Sequence, residues 1–283
     1  MKKINILSNV ITFIILALFA IITLVPIIYM ISCSFKTNSE ILAYPDRFLP
    51  MAPTVENFTN IWTSQFINIG RMLVNSVYYT VLSVLITLLT SSITAFVFAR
   101  YAFPGKKLLF AIFSALMFVS FGSITIYPQF EILGKLNLAN SINGLLFMKL
   151  FGCGIVNIYL VKSYIETLPR SLDESASIDG CGLFGTFFKI ILPLLKPIMA
   201  TVGLLAFNGS WNEYLMPTLF TISRPEQQTL IVGLMALKNS GEAASSWNLM
   251  MAGCVITLLP ILSAYIFFNR FFITGITEGA VKG

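Results

Sequence analysis

Glu174, Ser175, Ala176, Asp179 and Gly180, followed at fixed distance by Ile190, Leu192 and Pro193, are the residues whose types and spacing carry chemistry. That chemistry is recognition rather than bond-making. The acidic side chain can pair with a cation on another surface, and small residues at 175 to 177 let a backbone approach closely. Gly180 and Gly182 supply a sharp stop, because glycine takes the left-handed backbone that helix ends often need. Read singly, Glu174 is equally a cap and Gly180 an ordinary turn; only the joint spacing asks for a function. A second set, Asn208, Trp211, Asn212 and Glu213, offers amides, a carboxylate and an aromatic face that can meet a polyhydroxylated molecule. The bland reading of that set is helix packing by polar residues with an interfacial tryptophan. The chain has no histidine, and Cys33, Cys153, Cys181 and Cys254 are scattered without metal-like spacing. No catalytic residue and no metal ligand set is expected.

The elements that position these groups must cross a membrane. The 283 residues are 57% hydrophobic and 11% charged, more apolar surface than a soluble domain can hide. Charge-free runs lie between Lys3 and Lys36, Arg71 and Arg100, and Lys107 and Glu131. Each exceeds the roughly 20 residues a helix needs to cross the hydrocarbon core. No alternating pattern is present, so the spans are helices, which satisfy their own backbone in lipid. Six are predicted, over residues 10–31, 74–99, 108–126, 142–161, 198–220 and 250–272. The first is too long for a signal h-region and reads as a retained helix.

An even number of spans puts both termini on one side. Eleven basic residues then share that side, among them Lys2, Lys3, Arg100, Arg170 and Lys282, against six on the other. The excess places both termini in the cytoplasm. The net charge of +6 is therefore an orientation signal, not a nucleic-acid surface. Three parts are expected: residues 1–73, a first helix with an extracytoplasmic loop; 74–272, a five-helix core with a cytoplasmic loop at 165–196; and a tail, 273–283. In the first loop, Phe58, Ile61, Trp62 and Phe66 suit a short surface helix.

Within the cytoplasmic loop, Pro169 precedes a short helix. Ser171 with Glu174 three residues later matches a capping box. Gly180 and Gly182 end that helix, and a second one runs from Leu183 to Leu192 before Pro193 and Pro197 open the next span. The product is helix, sharp turn, helix, a form suited to docking on a moving partner and passing motion into the fifth span. Lys149 lies deep in the fourth span, where a charge needs a partner.

The Glu174–Pro193 pattern is that of the EAA loop of ABC importer permeases. Nearly the whole chain resembles the carbohydrate branch of that family, the MalG-like permeases. Leu168-Pro169, Ile178-Asp179-Gly180, Trp211-Asn212-Glu213, Glu56-Asn57-Phe58, Tyr101-Ala102-Phe103-Pro104-Gly105 and the glycine-rich ending 275–283 carry the likeness. Ser175 departs from it, standing where the pattern has alanine. The resemblance implies an all-α membrane protein with the six-helix type I (MetI-like) permease fold in a bacterial cytoplasmic membrane. It also implies a second homologous permease, two ABC ATPases docking on the loops, and an extracytoplasmic sugar-binding protein. ATP and magnesium belong to the ATPases; no cofactor is expected on this chain, which has no Walker motif. Carriage of a non-sugar solute such as glycerol phosphate or an amino acid is the alternative within the class. An ion-coupled secondary transporter would want several midmembrane ionisable groups and inverted repeats, which the sequence does not display.

Overall fold

The computed structural model describes residues 6–64, 67–119, 122–152, 154–239 and 246–280. Lys2, Lys3, Phe66, Cys153 and Lys282 lie outside them. The described residues are helical, without strands. They form two compact units, Met1–Gly70 with Gly233–Pro260, and Arg71–Val232 with Ile261–Gly283.

In the first unit, α1 (Ile6–Ser34) contains a 25-residue apolar span, Val10–Ser34. The loop after it is ordered by its own polar groups. Thr37 caps α2 (Asn38–Ala43) by accepting from the Glu40 amide. Glu40 Oε1 in turn accepts from the Met51 amide at 2.7 Å. Lys36, fully buried, donates to the Arg47 carbonyl and lies over the Tyr29 ring. Helix α3 (Glu56–Trp62) is the predicted short helix. Ile61 is buried, Phe58 packs on Phe35 and Trp62 stays half exposed. The Glu56-Asn57-Phe58 patch now has a physical role. Asn57, 2% exposed, donates at 2.8 Å to the carbonyls of both Ser34 and Lys36, and it accepts from Asn248 at 2.6 Å. One amide thus satisfies carbonyls that the end of α1 leaves open.

The second unit is built on α4 (Ile69–Arg100), an unbroken helix of 32 residues. The third, fourth and fifth predicted spans are interrupted. The third does not run through 108–126: α5 (Lys106–Leu116) closes with tight bonds from Met117 to Ser114 and Phe118 to Ala115. A 3-10 turn, Gly122–Thr125, leads into α6 (Ile126–Lys135). Pro128 sits in the first turn of α6, where its missing N–H costs nothing. The fourth span is α7 (Ile142–Phe151) and α8 (Ile155–Thr167), bent by 45° at a glycine-flanked break. The loop after α8 holds α9 (Ser171–Ile178) and a second helix, α10 (Leu183–Leu194), which turns through 81° into α11 (Lys196–Trp211). After a gap at 212–214 comes α12 (Leu215–Thr221). Helices α13 (Leu230–Asn239) and α14 (Trp247–Ala280) close the chain, and α14 continues through most of the expected tail. Among the described residues, three helices are long and apolar enough to cross a membrane, or up to five if each bent pair is one span.

Two apolar clusters sit at opposite ends of α4. Ala95, Phe96 and Ala99 pack with Ile158, Val161 and Ile165 of α8, with Phe187 and Ile191 of α10, and with Leu195 at the turn that follows it. Tyr79 packs with Leu133, Ile142, Leu145 and Phe220. The α6–α7 link fits closely into the second cluster. Asn137, with φ 58°, closes α6 while Leu138 donates to the Leu133 carbonyl at 2.8 Å, the paired bonding of a left-handed helix stop. A Cβ on Gly144 would lie 2.2 Å from the Leu138 carbonyl oxygen, whereas one on Gly134 would meet nothing within 4 Å. Gly144→Ala is therefore expected to lower the melting temperature of the purified protein, at a cost of about 1–3 kcal/mol or more. Gly134→Ala should raise it slightly, by helix propensity of up to about 1 kcal/mol.

Candidate coupling and translocation sites

Helix α9 begins without the capping box that the sequence suggested. Arg170 already has helical backbone and Ser171 lies inside the helix; no side chain caps its start. The carbonyls of Pro169 and Arg170 take the first amides, Leu172 donating to the former and Asp173 and Glu174 to the latter. With the turn begun one residue early, Ser171 is out of reach of the cap position.

The stop at Gly180 has the expected form. Gly180 stands at φ +75° with its amide on the Ser177 carbonyl at 3.1 Å, and Cys181 reaches the Ala176 carbonyl at 2.9 Å. This double closure needs a left-handed residue, and nothing but backbone geometry excludes a side chain there. Gly182 is extended instead, and opens α10. Ala176 is buried, while Glu174, Ser175, Ser177 and Asp179 are exposed and Ile178 is 86% exposed. One small residue thus seats the helix and the others face outward. Exposed Leu183 and Phe184 extend that surface.

Below the loop, Pro193 shapes α10. Proline lacks the N–H for a regular bond and its ring crowds the carbonyl four residues back. The chain answers with a π-helical turn, Thr186–Ile191, whose wider winding relieves the crowding. The widening also rotates the buried face. Ile191 is fully buried, while Ile190 and Leu192 are only partly so and Pro193 is exposed.

A brace that the sequence reading missed holds α9 in place. Arg100, the last residue of α4, pairs through Nε with Asp173 Oδ2 at 3.0 Å, the side chains being 6% and 25% exposed. Its Nη2 donates to the Leu168 carbonyl at 3.0 Å. The planar, forked guanidinium can hold both groups at once. Arg100 had counted only as an orientation charge; its place at the end of a long charge-free run was the available signal. Arg100, Tyr101, Arg170, Asp173, Glu174 and Ser177 line a cavity of about 340 Å³ beside α9.

The second candidate set lies at the other end of the unit. Lys149 has its partner: Nζ is 2.9 Å from Glu213 Oε2 and 3.0 Å from Ser210 Oγ, and lies 4.7 Å above the Tyr79 ring. The Tyr79 hydroxyl donates to the same Glu213 oxygen at 2.7 Å. Tyr79 and Ser210 carried no sequence signal beyond being polar within spans. Asn208 and Asn212 are exposed, with Asn212 Nδ2 donating to Asn208 Oδ1 at 2.8 Å. Trp211 does not offer the open stacking face expected of it. It is 4% exposed and lies parallel to Phe207, the ring centroids 5.7 Å apart.

The unit thus carries a short exposed helix braced at one end of a continuous span and a polar joint between two interrupted helices toward the other. The pattern of the family described as "Binding-protein-dependent transport system inner membrane component" matches residues 103–277. The chain belongs to this permease family. Among curated permeases, it is 32% identical over 269 residues to the arabinooligosaccharides transport system permease protein of Halalkalibacterium halodurans, covering 94% of each chain. It is 31% identical to the diacetylchitobiose uptake system permease protein of Streptomyces coelicolor, over 94% of this chain and 87% of that one. The permease fold is that seen in the crystal structure of a bacterial ABC transporter involved in the import of the acidic polysaccharide alginate. The TM-score is 0.81 at 23% identity, covering 96% of this chain and 99% of that one.

Proposed function

We propose that this permease forms half of the membrane pathway of a type I ABC importer for a sugar or oligosaccharide. A second, homologous permease completes the path, and an extracytoplasmic binding protein delivers the cargo. Two ATPases, which hold the ATP and magnesium, dock on α9 and its counterpart, and this chain hydrolyses nothing. Both termini lie in the cytoplasm, which sets α9 on the ATPase side. The observation that carries the coupling role is α9 itself. It is a two-turn helix seated on Ala176, closed at Gly180, braced by Arg100 and outwardly exposed from Glu174 to Ile178. The sugar-transport relatives support the cargo class.

ATP binding that draws the ATPases together moves α9, and α10 passes the motion through the 81° turn into α11. Cargo and nucleotide shift the two access states only through their different affinities for each. Deleting the chain from its native cell should abolish uptake of one or more labelled oligosaccharides. Re-expressed Glu174→Lys should reach the membrane yet restore little uptake. Full restoration would sink the coupling assignment, and loss of amino-acid or glycerol-phosphate uptake alone would move the cargo to another class.

A further inference from the structure

One ion pair joins the breaks of two interrupted spans. Lys149 stands in the last turn of α7, just before the 45° break to α8. Glu213 stands in the gap between α11 and α12. Their contact at 2.9 Å is reinforced by Ser210 and by the hydroxyl of Tyr79 on the unbroken α4. Interrupted helices at membrane depth persist only where they are buried in protein or line a watery cavity. This joint is not fully buried: the Lys149 and Glu213 side chains are 27% and 26% exposed. A charged pair so exposed is too costly against lipid tails. Its open edge therefore faces the path or the partner permease, and the exposed Asn208 and Asn212 amides belong to the same helix end.

We propose that this joint is a cargo-contact subsite of the permease, built for an uncharged oligosaccharide. Hydroxyl groups of the sugar hydrogen-bond to the Asn208 and Asn212 amides and to the open edge of Glu213. The Lys149 ammonium is committed to Glu213, Ser210 and the Tyr79 ring, so it is not free to hold a carboxylate. The site attracts hydroxyls and is neutral in sum. The proposal rests on the importer reading above and adds a location and a charge preference to it.

The test uses the whole importer purified from its own membrane, with native cysteines replaced by serine. Asn212→Cys is compared with Phe19→Cys on the apolar surface of α1. A membrane-impermeant thiol reagent should modify position 212 about tenfold faster or more, because a thiolate forms only where water reaches it. The transported oligosaccharide should slow that reaction severalfold. Equal, slow reaction at both positions overturns the site. Fast reaction that cargo does not slow, in an importer that still transports, overturns the contact and leaves the importer reading standing.

The charge preference has its own readout. In Glu213→Gln the ammonium is released, and a uronate oligomer should then protect position 212, as it does not in the parent. Lys149→Met/Glu213→Gln removes both charges and should lose that protection while keeping protection by neutral cargo. Equal protection by the uronate oligomer in all three overturns the neutral-cargo assignment.

Discussion

An importer carrying Arg100→Gln is expected to go on hydrolysing ATP while its cargo uptake falls about tenfold or more. The guanidinium is the fixed point between α4 and α9, with Asp173 and the Leu168 carbonyl both on it. Glutamine keeps neither the charge nor the forked geometry. Asp173 and one backbone carbonyl then lose their partner beside the apolar cluster of Phe96, Phe187 and Ile191. Removing one member of a buried pair costs several kcal/mol; with Asp173 a quarter exposed, about 2 kcal/mol is a fair share. That is too little to unfold the permease, and enough to let α9 tilt independently of the span it should drive. In the proposed arrangement, ATPases docked on a loosened helix still turn over, and the stroke is lost. The ratio of ATP hydrolysed to sugar moved, measured in proteoliposomes, decides the matter. Uptake and hydrolysis falling together would mean that Arg100 serves only ATPase docking. Asp173→Asn should behave alike, and the double variant should be no worse than either single one if the pair acts as a unit.

The second large effect belongs to the loop between α1 and α4. Asn57→Leu should cost about 3 kcal/mol, from two buried carbonyls and one half-buried amide losing their partner at about 1 kcal/mol each. The Ser34 and Lys36 carbonyls and the Asn248 amide are those groups. Leucine has nearly the right volume and none of the bonds, so packing does not confound the result. On the order of 2–4 °C per kcal/mol, the unfolding midpoint in detergent should fall by roughly 6–12 °C. Thr59→Val, which removes only an exposed bond to the Glu56 carbonyl, should stay within about 0.5 kcal/mol of the parent. An unchanged midpoint in Asn57→Leu would remove the amide from its bracketing role.

Much of this arrangement was legible in the residues. Charge-free runs marked α1 and α4, because a helix in lipid needs little but length and apolar side chains, whereas the run from Lys107 to Glu131 is divided between α5 and α6. Gly180 announced its own conformation, since few residues take a left-handed stop at so low a cost. Lys149 announced that it needed a partner, but not which one: Glu213 lies 64 residues away, and only packing brings the two together. Helix breaks were less readable. The third, fourth and fifth spans read as continuous because hydropathy does not register where a helix stops. The missing capping box has a similar origin. A side-chain pattern can name a cap, but the carbonyls of Pro169 and Arg170 claimed the first amides. Arg100 stayed hidden because an arginine at a span's end already has a sufficient reason to be there.

Helix α4 is the uninterrupted span that carries both sites, Arg100 at one end and Tyr79 21 residues earlier. At 1.5 Å per residue, those two side chains are rooted about 31 Å apart on one rod. A rod is a lever. If its Arg100 end is tilted by about 5°, the far end swings by roughly 3 Å, a distance that no hydrogen bond survives. The bond at stake there is the one from Tyr79 to Glu213. A push delivered at α9 would thus arrive as a broken contact at the joint between the interrupted helices, without any helix in between having to bend.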